Sequence, residues 1–129
     1  MALEALDHYT VHCADMIATR DFYRDVLGLT EGFRPRLAFA GHWLYCGDKA
    51  VVHLLGADGA SPENRGTKPG TDTGGLDHIA FRGQDAAATI AKLKEHCLAF
   101  RENLLRDIGL HQVFVRDPNG IMVEMNFRN

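Results

Sequence analysis

The sequence repeats itself at a spacing of about 70 residues. Residues Leu6–Val11 (LDHYTV) return as Leu76–Phe81 (LDHIAF), and Val51–Leu55 (VVHLL) returns as Met122–Asn126 (MVEMN). Self-similarity at a fixed period indicates that one structural unit is built twice. The fold must therefore contain two related halves with the same order of elements.

The first copy has the pattern of a strand, a helix and three strands. Alternating polar and apolar residues predict a strand over 8–13. Asp15 is an N-cap candidate for a helix from Met16 to about Leu27, and Gly28 follows at a common helix end. Short apolar runs separated by glycine turns predict three more strands, at 36–40, 42–46 and 50–55.

The second copy repeats that order. A strand is predicted over 77–82, and Asp85 caps a helix with Ile90, Leu93 and Cys97 on one side. Strands follow at 100–103, 111–116 and 121–127. We therefore predict one α+β domain, residues 1–129, with two tandem βαβββ modules at about 4–56 and 75–128. They supply eight mostly antiparallel strands with helices outside, and a Gly-, Asp- and Pro-rich linker spans about 57–74.

Composition excludes several classes of function. The net charge of −3 and the dispersed basic residues argue against nucleic acid as a partner. No apolar run approaches the ~20 residues of a membrane span, and the N-terminus lacks the features of a signal peptide. The three cysteines, at positions 13, 46 and 97, lack C-x-x-C spacing and predict reduced, buried thiols in a cytoplasmic protein.

Metal-binding residue types stand at matched points of the two copies. His8 matches His78, and His53 matches Glu124. If the copies pack about a pseudo-twofold axis, the four side chains can converge on one divalent ion such as Zn, Fe, Ni, Co or Mn. Glu124 interrupts an apolar run, where an unpaired buried carboxylate costs several kcal/mol. The alternative is that each histidine is an ordinary half-buried strand residue and that Glu124 faces solvent on an edge strand.

Five further residues are candidates for a substrate pocket around such a centre. Strand alternation places Thr10 and His12 on the face of His8, and Arg82 on the face of His78. Arg82 has the geometry to bind a carboxylate or phosphate with two hydrogen bonds, although solvent exposure explains it equally well. Trp43 and Phe114 are candidate apolar walls, the alternative being that both belong to the core.

These residues resemble the vicinal oxygen chelate superfamily, also called the glyoxalase, bleomycin resistance and extradiol dioxygenase superfamily. The matching segments are Leu6–His8, Asp21–Leu29, Gly75–Phe81 and Arg116–Gly120, the last leading to Glu124. The resemblance covers nearly the whole chain in the right order. It implies paired βαβββ modules that form a cupped sheet around a divalent ion.

The resemblance also implies a chemistry. Two adjacent substrate oxygens bind at open positions of the metal, which acts as a Lewis acid. Glyoxalase I-like members convert the adduct of a thiol and a ketoaldehyde into a thioester, and their last-strand carboxylate is both ligand and base. Glu124 would take that role, with His8, His53 and His78 completing the ligand set. Such members have a second carboxylate where this chain has His53, a departure that puts lyase activity in doubt.

Other members of the superfamily fit less well. Extradiol dioxygenase-like members use two histidines and one carboxylate for iron, which His8, His78 and Glu124 could supply. They also need a tyrosine beside the substrate, and Phe114 stands where we would expect it. The phosphonate-binding residues of fosfomycin-resistance-like transferases are not evident here, and bleomycin-resistance-like binding proteins usually lack the metal ligands.

The expectation is therefore a cytoplasmic, glyoxalase I-like metalloenzyme acting on a small molecule with vicinal oxygens. Glutathione or another thiol is the candidate co-substrate, and the family relationship implies a homodimer. The sequence leaves open the substrate, the metal, the role of His53, and whether modules pair within one chain or between two.

Overall fold

The computed structural model describes residues 2–56 and 74–128. The chain divides into two compact units, Met1–Pro69 and Gly70–Asn129. The linker predicted at 57–74 lies, except for its last residue, outside the described residues.

The first unit is a four-stranded mixed sheet with one helix. Its sheet order is β1-β4-β3-β2; β1 runs parallel to β4, and the other pairs are antiparallel. The elements are β1 (Tyr9–Cys13), α1 (Met16–Asp21), a π-helical segment (Phe22–Val26), β2 (Thr30–Glu31), β3 (Gly41–Cys46) and β4 (Lys49–Gly56).

The helical region of the first unit, α1 together with the π-helical segment, begins at Met16 and ends at Val26, close to the predicted bounds. The Asp15 carboxylate accepts a hydrogen bond from the Ala18 backbone N–H at 3.0 Å, which caps α1. Gly28 takes φ +83° just after the helical segment, a conformation that favours glycine. The helical residues Tyr23 and Val26 and the strand residues Leu44 and Val52 are buried together in the core of this unit.

The second unit repeats the architecture. Its sheet order is β5-β8-β7-β6, again with one parallel pair, β5 with β8. Asp85 caps the helix by accepting from the Ala88 N–H at 3.0 Å, and Leu93 is fully buried. The elements are β5 (Ile79–Gly83), α2 (Ala86–Glu95), β6 (Phe100–Leu105), a 3-10 turn (Arg106–Ile108), β7 (Leu110–Arg116) and β8 (Met122–Arg128).

The strand registers of the two units are equivalent. His53 lies opposite Thr10 in the β1–β4 pair, and Glu124 lies opposite Ala80 in the β5–β8 pair. Across these two strand pairs the sequence repeat is thus a repeat of structure. The predicted α+β class, with two βαβββ units, eight strands and one helix packed on each sheet, is confirmed.

Two details of the prediction are wrong. Residues 36–40 form no strand, and the short β2 at Thr30–Glu31 takes that place in the sheet. Pro35 cannot donate to a strand ladder, and the Arg34 guanidinium donates to the Phe39 carbonyl at 2.8 Å, which stabilises a loop instead. Cys97 lies beyond the end of α2 at φ +56°.

The cysteines are only partly as predicted. Cys13 is buried, whereas Cys46 and Cys97 are exposed. Within the described ranges, all helices are too short or too polar to cross a membrane.

Candidate functional site

In the first unit, two of the predicted metal ligands lie in contact. His8 immediately precedes β1, and His53 lies on the neighbouring strand β4. Their rings stack with centroids 3.7 Å apart and planes inclined by 14°. Trp43 on β3 also stacks on His53, at 3.9 Å and 10°. The three rings form a continuous stack with His53 in common.

Hydrogen bonds fix the orientation of both imidazoles in this stack. Nδ1 of His8 donates to the Asp7 carboxylate at 2.6 Å, and this bond lowers the pKa of Asp7. Nε2 of His53 lies 3.0 Å from the Ala50 carbonyl, to which it must donate. Burial, followed by the charge of His8, lowers the pKa of His53. These hydrogen bonds leave Nε2 of His8 and Nδ1 of His53 as the ring nitrogens available to a ligand.

In the second unit, the other two predicted ligands form a close pair. His78 immediately precedes β5, and its Nε2 lies 3.3 Å from Oε1 of Glu124 on β8. Its Nδ1 donates to the Asp77 carboxylate at 2.8 Å. That hydrogen bond raises the pKa of His78, burial opposes the rise, and the charge of Glu124 adds to it.

A set of side-chain amides holds the carboxylate of Glu124, a residue that is only 8% exposed. Its Oε2 accepts from Nδ2 of Asn126 at 2.9 Å and from Nε2 of Gln112 at 3.3 Å. Gln112 also donates to the Asn126 side-chain oxygen, and it accepts from Asn103 at 3.0 Å. Because these donors occupy Oε2, Oε1 is the oxygen directed at His78.

These donors have the chemistry of a divalent metal site. Imidazole nitrogens and a carboxylate oxygen suit ions such as Zn, Fe, Ni, Co and Mn. Histidines that bind metal commonly donate their second N–H to a carboxylate, as His8 and His78 do to Asp7 and Asp77. Neither unit, over its described residues, gathers three His, Cys, Asp or Glu side chains into one group. Each unit holds one pair of the predicted ligands.

The predicted pocket residues of the first unit lie near its histidine pair. Thr10 is exposed on β1, opposite His53 in the strand register, and Trp43 belongs to the ring stack. His12 is half-buried on the same strand. Both of its ring nitrogens are buried and find no hydrogen-bond partner among the residues described.

The predicted pocket residues of the second unit lie around Glu124. Phe114 is opposite Glu124 in the β7–β8 register, and the Arg101 guanidinium lies 4.7 Å from the centre of its ring. Arg82 is exposed on β5, opposite Asn126.

Several residues that orient the site were not predicted. Asp7 and Asp77 repeat with the histidines in both copies, and this doubled Asp-His pair was the available signal. Gln112 and Asn103 gave no signal of their own. Their alignment with Asn126 depends on the registers of β6, β7 and β8, which the sequence does not fix.

Comparisons with known proteins agree with this architecture. Residues 5–125 match the family model described as the Glyoxalase/Bleomycin resistance protein/Dioxygenase superfamily. Glyoxylase I 4 of Arabidopsis thaliana is 32% identical over 127 residues, which cover 95% of this chain and 70% of that protein.

Two solved structures share the fold. Lactoylglutathione lyase from Agrobacterium tumefaciens superposes with a TM-score of 0.67 at 22% identity, covering 98% of this chain and 96% of that one. TnmS3, an antibiotic binding protein from Streptomyces sp. CB03234, superposes with a TM-score of 0.70 at 21% identity, covering 100% and 99%. At these identities the likeness concerns the fold alone.

Proposed function

The chain belongs to the glyoxalase, bleomycin resistance protein and dioxygenase superfamily, and we propose that it is a divalent-metal-dependent lyase or isomerase of the glyoxalase I type. Its substrate is a small molecule with two adjacent oxygens. A thiol such as glutathione is the proposed co-substrate. We further propose a cytoplasmic homodimer, on the family relationship.

The proposed metal ligands are His8, His53, His78 and Glu124. The observation that carries the proposal is the pairing of His78 with Glu124, Nε2 to Oε1, at 3.3 Å. Two potential ligands are already directed at each other there, and Asp77 holds the far side of the imidazole. The stacked His8 and His53 supply the second pair. His53 is the ligand on which the proposal depends least, because the other three suffice for a site with open positions.

Glu124 is the proposed general base. A bound metal would polarise the two substrate oxygens and so acidify the neighbouring C–H bond. Oε1 of Glu124 takes that proton from one carbon and returns it to the adjacent carbon, which completes an isomerisation. Asn126 and Gln112 keep Oε2 hydrogen-bonded throughout, so the carboxylate stays in one orientation as the proton moves.

The first experiment is elemental analysis of protein purified without added metal. The protein is then stripped, reloaded with single metals and assayed with methylglyoxal plus glutathione. A stoichiometric ion and metal-dependent thioester formation are expected. Bound metal without turnover would contradict methylglyoxal as the substrate and direct the search to other oxygen-pair substrates. Absence of metal binding after reconstitution would contradict the enzyme and favour a binding protein.

Two variants test the ligand set. His78→Ala and Glu124→Ala should each abolish high-affinity metal binding while the protein stays folded. The control is His111→Ala, since His111 forms a similar pair with Glu102 at 2.8 Å in the same unit. Unchanged metal content in both site variants would exclude the proposed site.

A further inference from the structure

We infer that a pocket beside His53 in the first unit binds an aromatic group that carries no negative charge. The inference deepens the proposed function by naming a substrate class. It rests on that function only in taking the bound group to be part of the substrate. The pocket itself is defined by residues of one unit and does not depend on a metal.

The pocket has the size of a small-molecule site. Its volume is about 580 Å³, within the range of roughly 300–1,000 Å³ that such sites occupy. One wall is the segment that precedes β1, and the other is the end of the β3–β4 hairpin. The lining residues with the largest side chains are Leu3, Leu6, Trp43, Tyr45, Lys49 and His53.

Two rigid aromatic side chains form part of the hairpin wall. The Trp43 ring is stacked on His53. The Tyr45 hydroxyl donates to the Phe33 carbonyl at 2.5 Å, and the Tyr45 ring lies where a side chain on Gly32 would collide with it. Because both rings are already fixed, a planar ligand that contacts them orders little additional structure on binding.

The opposite wall holds apolar side chains that the described residues leave largely exposed. Leu3 is 87% exposed and Leu6 is 82% exposed, and both line the pocket. Exposed apolar side chains grouped around a cavity mark a binding site more often than scattered ones do. An apolar ring in the pocket would bury both leucines against the aromatic wall.

The charges around the pocket select against an anion. Glu4, Asp7 and Asp48 line it, and among the described residues Lys49 is the only Lys or Arg that does so. A carboxylate or phosphate on the bound ring would therefore meet net repulsion, and an uncharged or cationic ring would not.

The position of the pocket connects it to the proposed chemistry. His53 lines it, and Asp7, which holds Nδ1 of His8, lines it as well. A ring bound there lies beside the His8–His53 pair. A substrate whose oxygen pair is attached to an aromatic group fits this arrangement better than one with a short aliphatic chain.

The test uses Trp43, the only tryptophan of the chain, as a reporter. In ¹⁵N-labelled protein the single indole N–H signal is followed by NMR during titrations, as purified and again after metal removal. Benzyl alcohol and cyclohexylmethanol form a pair that differs in aromaticity. Benzylamine and benzoate differ in charge. We expect benzyl alcohol to bind about fivefold more tightly than cyclohexylmethanol, and benzylamine more tightly than benzoate.

Two variants locate the binding. Leu6→Ala removes an exposed side chain from the pocket wall and should weaken benzyl alcohol binding about threefold or more. Leu37→Ala, which removes a leucine that is 41% exposed outside the pocket, should leave it unchanged. Equal affinities within the aromaticity pair, tighter binding of benzoate, or equal effects of the two variants would overturn the inference. Failure of metal binding with these preferences intact would instead contradict the proposed function alone.

Discussion

Nε2 of His78 lies 3.3 Å from Oε1 of Glu124, so a histidine and a carboxylate from opposite ends of the second copy of the repeat meet in one unit. The His78 ring is held from behind by Asp77, and the Glu124 carboxylate is held from behind by two amides. The supporting hydrogen bonds thus leave Nε2 of His78 and Oε1 of Glu124 as the two atoms that face each other. This arrangement gives definite expectations for substitutions at the pair and at the groups that support it.

Replacing Glu124 with Gln should separate its proposed roles as base and as ligand. The amide has almost the same volume as the carboxylate, so the fold should be kept. Because an amide cannot accept the substrate proton, turnover should fall by about 100-fold or more. Part of the metal affinity should remain. Steady-state kinetics and metal titration of the same preparation measure both, and full turnover would remove Glu124 as the base.

Gln112→Met should loosen the Glu124 carboxylate without touching the ligands themselves. Oε2 would lose one of its two amide donors, and the free energy of unfolding should fall by about 1–3 kcal/mol. Metal affinity should fall by about 10-fold or more, as is common when a group that supports a ligand is removed. Denaturant unfolding and metal competition titrations give the two values.

Gln84→Met is the matched control, because Gln84 is exposed in the same unit and lies outside the network around Glu124. The control should change neither stability nor metal affinity appreciably. If Gln112→Met had no larger effect on metal affinity than Gln84→Met, the amide network would not position Glu124.

The pKa values of His78 and His53 should lie on opposite sides of the ordinary histidine pKa of about 6.5. The hydrogen bond to Asp77 raises the pKa of His78, whereas burial lowers the pKa of His53. Protonated His78 therefore stabilises the fold below about pH 6.5, and this stabilisation is lost as the pH rises through the pKa of His78 in the folded protein. For His53 the sign is opposite. Its contribution to stability is present above the pKa of the unfolded chain and is lost as the pH falls from there through the lowered pKa of the folded protein.

NMR titration of the imidazole signals in metal-free protein measures both pKa values. Asp77→Asn should lower the pKa of His78 and leave that of His53 unchanged. Asp107→Asn, an exposed carboxylate in the same unit, is the control. A pKa for His78 below that of His53 in the unsubstituted protein would contradict the assignment.

Much of the fold could be predicted because the repeat supplies two independent copies of each signal. Asp15 and Asp85 cap the two helices as predicted. His53 and Glu124 take equivalent register positions because the apolar runs around them match. The strand predicted at 36–40 is wrong because the Arg34 side chain binds the Phe39 carbonyl, a contact that the apolar content of the segment does not reveal.

The site could be predicted only in part, for a physical reason. Ligand-type residues stand out in sequence because a buried charge such as Glu124 is costly without partners. The partners themselves do not stand out, because Gln112 and Asn103 are ordinary polar strand residues until register aligns them. Nor could the stack of Trp43 on His53 be predicted, since it depends on the pairing of β3 with β4.

Gly41→Ala should destabilise the first unit strongly. Gly41 begins β3, where an added Cβ would overlap the backbone carbonyl oxygen of Leu54 on the paired strand. Backbone atoms in a sheet cannot move aside easily, so we expect the free energy of unfolding to fall by about 1–3 kcal/mol. Gly75→Ala is the control, because a Cβ there meets no atom within 4 Å. Denaturant unfolding measures the stability of both variants. Equal stabilities would show that β3 and β4 do not approach as closely as described.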